Sequence, residues 1–444
     1  MNSTMRRALV VASAVAAAPG AAEATNGYFS HGWGTKSKAM AGVATALPQD
    51  TLATAVNPAG MAFVGDGLDL GVSFFSPSDR GYTANDDFVS GNPLLSSVTP
   101  GTYTSSLDWF VIPSFGYNRV LNERMTLGIA VFANGGMNTE YEDRPVWENF
   151  TLPIDPKGTL TATTPTGVNL EQLFVEVPFS YKLNARHAIG IAPVFAVQRF
   201  EANGLEPFRA ASLHPDSVTN NGHDWSYGGG IHIGWLGRPT DRLSLGASYR
   251  SRLWMTEFDE YKGLFADGGD FDVPAMLNLG LAFEATPTLT LAFDYQRIFY
   301  SDIKAIANPN DIAIQSCFIP WAKSDICLGG QAGLGFGWED MDVFKLGASW
   351  DYDAAWTFRG GVSYASEFAP SGQALFNVLA PATIRWHFTL GATYRHSAKD
   401  EFNFSFAYMP EEELEGQNPR ITGSQTGSVF MEQRDIELSW THRF

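Results

Sequence analysis

The stretch that decides the fold is residues 241–252, "DRLSLGASYRSR", because its apolar side chains recur at every second position. Leu243, Leu245, Ala247 and Tyr249 point one way, while Arg242, Ser244, Gly246, Ser248 and Arg250 point the other. A period of two is typical of a β-strand with two different surroundings. The segment "FNFSFAY", residues 402–408, repeats the pattern with aromatic side chains on one face.

Segments of this kind recur along the whole chain. We predict fourteen of them, an even number, as single-chain bacterial barrels require. Their predicted bounds are 68–76, 110–119, 125–134, 172–183, 187–200, 225–236, 241–252, 274–285, 287–299, 342–352, 354–366, 384–396, 400–409 and 434–444.

The connections between these segments alternate strictly between long and short. The long ones are residues 77–109, 135–171, 201–224, 253–273, 300–341, 367–383 and 410–433. Short periplasmic turns and long outer loops produce this alternation in outer-membrane barrels. A soluble sandwich or propeller has no reason to sort its loops by length. We therefore predict an all-β fold, a 14-stranded antiparallel transmembrane β-barrel in the bacterial outer membrane.

Composition agrees with this prediction. Aromatic residues make up 13% of the chain and 44 of its 444 residues are glycine, while charged residues are only 17%, against about 25% in soluble domains. The net charge of −18 argues against nucleic acid as a partner. No apolar run of about 18 residues follows the N-terminal signal, so we expect no membrane-spanning helix.

The two ends of the chain carry export signals. Residues 1–24 have a basic start, an apolar stretch and the small-x-small site Ala22-Glu23-Ala24, which predicts a cleavable signal peptide. The last segment ends on Phe444, in register with Trp440 and His442. A terminal aromatic in that register resembles the recognition signal of the barrel-assembly machinery, which we expect as a partner.

Residues 25–66 separate the signal from the first strand. They are rich in Gly and Ala, carry little charge and show no sustained period. A fourteen-stranded lumen is wider than wall side chains can fill, so we predict that residues 25–66 form a hatch that plugs a barrel built by residues 67–444. One short helix is expected, from Pro48 to the Asn57-Pro58 stop.

This segment resembles the hatch of the FadL/TodX family, outer-membrane transporters of long-chain fatty acids and other hydrophobic compounds. The resemblance rests on Gly32, Gly34, Gly42, Asp50 and the triplet Asn57-Pro58-Ala59. It extends to the strand count, to "LGGQAGLGFGWEDMDVFKLGASW" at 328–350 and to the aromatic C-terminus. The resemblance implies uptake of such compounds by a monomeric barrel that contacts outer-membrane lipid and lipopolysaccharide, without a cofactor.

The resemblance also implies a route. A solute enters a hydrophobic groove among the outer loops, the hatch shifts, and the solute leaves sideways through a gap at a kink in the third strand. Here that strand loses its alternation at Asn134, Gly135 and Gly136. Paired glycines permit a bulge or kink; alternatively, the strand ends there and the glycines begin a loop.

The long loops contain more apolar residues than a solvated surface needs, which suggests ligand contact or mutual packing. The candidates for substrate contact are Leu205, Phe208, Leu253, Trp254, Phe258, Leu264, Phe265, Leu375 and Phe376.

Inward-facing basic side chains could meet a fatty-acid carboxylate. Alternation places Lys182, Arg250, Lys345, Arg359, Arg385 and Arg395 inward. Lumen charges mostly pair with lumen carboxylates, such as Glu176, Asp294 or Glu437. Among the basic residues we select Arg359 and Lys345, on neighbouring strands, as the candidates.

The only cysteines, Cys317 and Cys327, share one long loop. The periplasm is oxidising, so we expect a disulfide between them that contributes about 2–3 kcal/mol by loop closure. We expect no metal site, because no His cluster lies near. The run of acidic residues "EEELE" at 411–415 indicates a solvated outer loop.

Two other functions compete with this reading. An outer-membrane enzyme needs a nucleophile and a base placed together, and neither a G-x-S-x-G motif nor a His constellation occurs here. We therefore predict no catalytic residues. A general diffusion porin for polar solutes would need a charged constriction and no plug.

Overall fold

The computed structural model describes residues 25–85, 98–147, 162–311, 315–417 and 425–444. The proposed signal peptide lies outside these residues. The wall is a closed antiparallel sheet of fourteen barrel strands. They are β1 Gly67–Ser76, β2 Phe110–Val120, β3 Met125–Tyr141, β4 Thr166–Glu176 continued by Phe179–Lys182, β5 His187–Asn203, β6 Asp224–Gly237, β7 Leu243–Arg250 continued by Trp254–Met255, β8 Met276–Thr286, β9 Leu289–Ile298, β10 Met341–Asp351, β11 Trp356–Ala365, β12 Trp386–Arg395, β13 Asp400–Gln417 and β14 Thr426–Arg443.

The ring closes between the first and last strands. Gly67 pairs with Arg443 and Ser76 with Arg434 in an uninterrupted ladder. On its other side β1 pairs with β2, so the sheet closes on itself, which is how a barrel removes its two outer edges. The predicted strand count is confirmed.

Several strands run beyond their predicted ends. β13 continues to Gln417 and β14 begins at Thr426, so the "EEELE" run lies in a paired strand and our assignment of residues 411–415 to a loop is wrong. Two further short strands, Gly81–Ala84 and Gly101–Thr104, extend this ribbon above the wall.

Outward side chains of the strands are apolar and exposed. Ile191, Ile233, Leu346 and Phe404 are examples, each more than a third exposed. Their inward neighbours are buried, because residues 25–64 and the outer loops fill the lumen. Among the described residues, no helix is long and apolar enough to cross a membrane.

The helical pieces inside the barrel are short. Residues 25–64 contain the α-helical turns Thr35–Lys38 and Met61–Val64 and the 3-10 turns Thr51–Ala55 and Pro58–Gly60. The helix expected from Pro48 to Asn57-Pro58 is instead the 3-10 turn Thr51–Ala55, capped by Asp50, and Asn57 caps the next 3-10 turn. The outer loops add the helical turns Glu206–Ala211, Asp259–Tyr261, Ala266–Gly269, Tyr300–Asp302, Lys304–Ala307, Gln315–Phe318, Pro320–Ala322 and Ser371–Leu379.

Candidate functional site

We call residues 25–64 the luminal segment. Charged pairs join its first helical turn to the wall. Lys38 Nζ lies 2.9 Å from both the Asp435 and the Glu437 carboxylates, and these three side chains are almost fully buried. Lys36 Nζ lies 2.5 Å from Glu401. Buried pairs of this kind are costly to break from one side, because the partner charge stays in a medium of low dielectric.

Wall carboxylates also hold the backbone of the luminal segment. Asp294 accepts hydrogen bonds from the Ala44 and Thr45 N–H groups at 2.9 Å. Asp69 accepts from Thr51 N at 2.8 Å. The lumen carboxylates therefore bind the segment more than they bind the inward basic side chains, which departs from the pairing that we expected.

The triplet Asn57-Pro58-Ala59 sits against two wall glycines. The Asn57 amide donates to Trp235 O at 3.0 Å. A Cβ atom on Gly190 would lie 2.4 Å from Ala59 N, and one on Gly234 would lie 2.0 Å from Asn57 Oδ1. The wall has to lack side chains at these two positions for the triplet to seat.

The wall is incomplete between β2 and β3. Their ladder stops where Phe115 pairs with Val131, although β2 begins five residues earlier, at Phe110, and β3 continues to Tyr141. Along β3, the register with β4 shifts between Ala133 and Gly135. The strand therefore bulges at the glycines and does not end there.

The luminal segment pairs with the free edge of β3. Ser30 N donates to Asn134 O at 2.8 Å, Gly136 N donates to Tyr28 O at 3.0 Å, and Phe29 lies opposite Gly135. We call residues 28–30 the strap. The strap supplies the hydrogen-bond partners that β2 does not, in the manner of an added strand.

Aromatic side chains surround the strap. Tyr28 and Phe29 pack on Tyr300 with ring centroids 5.4 and 5.8 Å apart, and Trp338 packs on Tyr300 at 5.3 Å. Tyr300 Oη donates to Asn26 O at 2.5 Å and accepts from Tyr28 N at 3.2 Å. Burial raises the pKa of Tyr28 and of Tyr300 well above the ordinary value, so both hydroxyls remain neutral.

Arg250 lies fully buried beside the strap. Its Nη2 donates to Asn134 Oδ1 at 3.1 Å, and its guanidinium carbon lies 5.3 Å from the Phe29 ring and 4.9 Å from the Phe174 ring. Among the described residues, no group accepts a hydrogen bond from Nε or Nη1. Such buried donors are costly to leave unmet, so this guanidinium can still bind an acceptor.

An apolar cavity lies between the outer loops, above the aromatic cluster. Its volume is about 30 Å³, the share of one water molecule in the liquid, whereas an engineered cavity that binds benzene measures about 150 Å³. A solute could therefore enter only if the loops moved apart. The lining includes Met137, Phe200, Leu264, Phe265, Phe336 and Phe376.

The loop residues predicted to contact the substrate divide into three groups. Leu264, Phe265 and Phe376 line this cavity. Trp254 is 62% exposed and pairs with Gly229 of the neighbouring strand, so the structure does not bring it to the others. The remaining candidates are buried in the same apolar cluster without lining the cavity: Leu205, Phe208, Leu253, Phe258 and Leu375.

The two selected basic residues contact the luminal segment. Lys345 Nζ donates to His31 O at 3.0 Å. Arg359 donates to Gln49 Oε1 at 2.8 Å and to Thr393 Oγ1 at 2.7 Å. They lie four residues apart in register, because Lys345 pairs with Ser363, so they do not form one site.

The disulfide joins Cys317 to Cys327. Leu328, the next residue, pairs with Ser212 and lines the apolar cavity. The covalent link thus fixes a loop at the rim of that cavity. Among the described residues, no group of three His, Cys, Asp or Glu side chains could hold a metal ion.

Sequence reasoning missed the aromatic residues around the strap. Tyr28, Phe29, Tyr300 and Trp338 come from distant parts of the chain, and their shared location depends on how the luminal segment folds. Arg250 was among the inward basic residues, but a strand pattern cannot show that it is buried with two unmet donors.

Asp50 makes the seating of the luminal segment depend on pH. Burial, and next the nearby Asp69 carboxylate, raise its pKa from 3.8 to about 7. Because the pKa is raised, the neutral carboxyl of Asp50 stabilises the seated segment. This contribution is complete below about pH 4 and is lost as the pH rises through 7. We expect single-channel conductance of the intact protein to increase between pH 5 and pH 8.

The matched variant is Asp50→Asn, which keeps an oxygen that can accept from Leu52 N but cannot ionise. Its conductance should be the same at both pH values. If the conductance of the intact protein and of Asp50→Asn changed equally with pH, Asp50 would not be the group responsible.

Comparisons with known proteins agree with the fold. A family model described as "Outer membrane protein transport protein (OMPP1/FadL/TodX)" matches residues 8–434. A long-chain fatty acid transport protein of Escherichia coli O6:H1 is 22% identical over 393 residues, which are 82% of this chain and 80% of that protein.

Solved structures are similar at low identity. The toluene transporter TodX of P. putida superposes with a TM-score of 0.64 at 18% identity, over 93% of this chain and 99% of that one. A FadL homologue of Pseudomonas aeruginosa superposes with a TM-score of 0.65 at 16% identity, over 94% and 100%. At these identities the superpositions establish the fold.

Proposed function

The chain belongs to the outer membrane protein transport family OMPP1/FadL/TodX and is an outer-membrane protein, and we propose that it takes up hydrophobic compounds by releasing them sideways through its wall. Relatives are named for long-chain fatty acid transport and for toluene transport. The finer mechanism below is our proposal for this chain.

The observation that carries the proposal is the gap between β2 and β3, with the strap in it. The gap begins above Val131, the seventh residue of a strand whose first residue is Met125. A membrane-crossing strand needs about 9–11 residues, so this gap opens at the level of the hydrocarbon core. A solute that left there would enter lipid without crossing the polar surface of the outer leaflet.

The proposed route has three steps. A solute parts the outer loops at the cavity lined by Leu264, Phe265 and Phe376. It then displaces the aromatic rings of Tyr28 and Phe29. The strap releases the β3 edge, and the solute passes between β2 and β3. Cavity and strap belong to one continuous apolar cluster, which supports a path without a polar interruption.

Arg250 gives the route a means to recognise a carboxylate. Its two unmet donors lie beside the strap, and a charge-assisted hydrogen bond to a carboxylate contributes about 1.5–3 kcal/mol. In Arg250→Met we expect the apparent KM for fatty-acid uptake to rise about 10- to 100-fold. Uptake of an alkane or toluene by the same variant should not change, because neither has a carboxylate. Equal losses of fatty-acid uptake and hydrocarbon uptake would contradict the proposed binding of a carboxylate by Arg250.

Uptake and conductance together test the function. Cells that lack their own transporter would express the intact chain or a chain without residues 25–60, and would be given a labelled fatty acid and a labelled hydrocarbon. We expect uptake by the intact chain, and low conductance that rises on deletion. High conductance of the intact protein without uptake of either label would make it a porin for polar solutes.

A further inference from the structure

A second apolar depression lies on the lipid-facing side of the wall, away from the β2–β3 gap. It runs across β4 to β8 and has a volume of about 600 Å³, within the range of pockets that hold small molecules. We call it the outer groove. Its lining includes Phe179, Tyr181, Ile189, Ile191, Ile233 and Trp235.

The outer groove begins at the periplasmic ends of β4, β5 and β6 and runs obliquely to Leu277, near the outer-loop end of β8. Tyr181 pairs with Ile189, and Ile189 pairs with Trp235. These three residues lie within two positions of the strand ends at the short turns, which face the periplasm in such barrels. This end of the groove therefore faces the acyl chains of the periplasmic leaflet.

The turns beside the outer groove are basic, although the chain as a whole has a net charge of −18. The β2–β3 turn carries Arg124 and Glu123, the β4–β5 turn carries Arg186, and the β6–β7 turn carries Arg238, Arg242 and Asp241. Asp241 pairs with Arg186 at 2.7 Å, and the three turns together keep an excess of basic residues. By contrast, the β8–β9 turn has no charged residue between Thr286 and Leu289. Positive charge is thus concentrated on the side of the barrel that has the groove.

Arg124 connects this charge to the groove. Its guanidinium donates to the Tyr181 hydroxyl at 3.4 Å, and its side chain is exposed. On the other rim, the His187 ring stacks on Trp235 with centroids 5.8 Å apart. Aromatic rings at the membrane boundary with a guanidinium beside one of them fit a molecule that has an apolar chain and an anionic head.

We propose that the outer groove binds one anionic phospholipid of the periplasmic leaflet. Its acyl chain lies along Ile191 and Ile233, and its phosphate accepts hydrogen bonds from Arg124. A fatty acid released through the β2–β3 gap would emerge on a different part of the wall, so the groove is not the exit. The proposal does not depend on the transport mechanism above.

Under the groove the wall is a single layer of β-sheet. The inward-facing neighbours of Ile191 and Ile233 include Gly190 and Gly234, and the Asn57-Pro58-Ala59 triplet lies directly behind those glycines. A lipid in the groove would therefore cover the outside of the wall where the luminal segment is seated.

Native mass spectrometry of the purified, delipidated full-length barrel tests the site. Phosphatidylglycerol and phosphatidylcholine with the same acyl chains would be titrated separately, with oleate as a third ligand. We expect one phosphatidylglycerol to bind at least five times more tightly than either of the others. Equal binding of phosphatidylcholine, or of oleate, would overturn the proposal.

Two variants and their matched controls locate the site. Arg124→Gln should weaken phosphatidylglycerol binding about fivefold, which is the effect of one basic residue near an anionic lipid surface, and Ala247→Phe should block the groove, which Ala247 lines. Lys399→Gln, in another periplasmic turn, and Ala348→Phe, on the lipid face of β10, should have no effect. If the controls weaken binding as much as the site variants, the assignment is wrong.

Discussion

Replacing Lys38 by methionine is expected to turn the closed barrel into a leaky one. Lys38 lies within 2.9 Å of both Asp435 and Glu437, and all three side chains are buried. Without the ammonium group, two carboxylates would remain buried and close together. Removing one partner of a buried ion pair costs about 3–5 kcal/mol, and this cost falls on the contact that joins the first helical turn of the luminal segment to the wall.

Single-channel recording in planar bilayers measures this effect. We expect long open states in Lys38→Met that are rare in the intact protein. Lys304→Met is the control, since Lys304 pairs with Asp267 at 2.7 Å while more than two fifths of its side chain is exposed, and exposed pairs contribute about 0–1 kcal/mol. A Lys38→Met channel as quiet as the intact protein would show that the luminal segment is held by other contacts.

Replacing Gly190 by valine is expected to unseat the Asn57-Pro58-Ala59 triplet. A Cβ atom at Gly190 would lie 2.4 Å from both Ala59 N and Pro58 C. These are backbone atoms that cannot rotate away, so the triplet has to move. The Ser180 hydroxyl, which donates to Pro58 O at 2.6 Å, would then lose its acceptor.

The control for this variant is Gly360→Val. The nearest atom to a Cβ at Gly360 is Thr389 O, at 3.6 Å, an ordinary contact. We expect proteolysis from the periplasmic side to cut the luminal segment in Gly190→Val and to spare it in Gly360→Val. Equal protection in both variants would contradict the role that we give to Gly190.

The barrel was predictable because the lipid bilayer imposes one rule on every strand. Each lipid-facing side chain has to be apolar and each neighbour faces the lumen, so segment 241–252 reveals the pattern without knowledge of its partners. Strand ends were less predictable, since residues such as those at 411–415 pair above the membrane, where the rule no longer holds.

The site was only partly predictable. The glycines at 135–136 indicated an irregular strand, because glycine inside a strand weakens it and often marks a bulge. The loss of alternation at Asn134 pointed to β3 alone, and nothing in the sequence of β2 indicated that its pairing with β3 stops at Phe115. Arg250 and Lys345 look alike in the pattern, and only the fold shows that Arg250 keeps two unmet donors while Lys345 donates to His31 O.

The central claim is that the strap has to leave β3 before a solute can exit. Phe29 and Gly135 lie directly opposite each other in a pair without mutual hydrogen bonds. The Cα atoms of such pairs are about 4.5 Å apart, a separation that a disulfide can span. The double variant Phe29→Cys/Gly135→Cys can therefore lock the strap to the wall by oxidation.

Uptake of a labelled substrate by cells with this double variant, before and after reduction, is the most direct test. We expect uptake to fall to background when the strap is locked and to recover on reduction, while the unaltered protein, treated with the same reductant, shows no such recovery. Undiminished uptake with the strap locked would contradict the account.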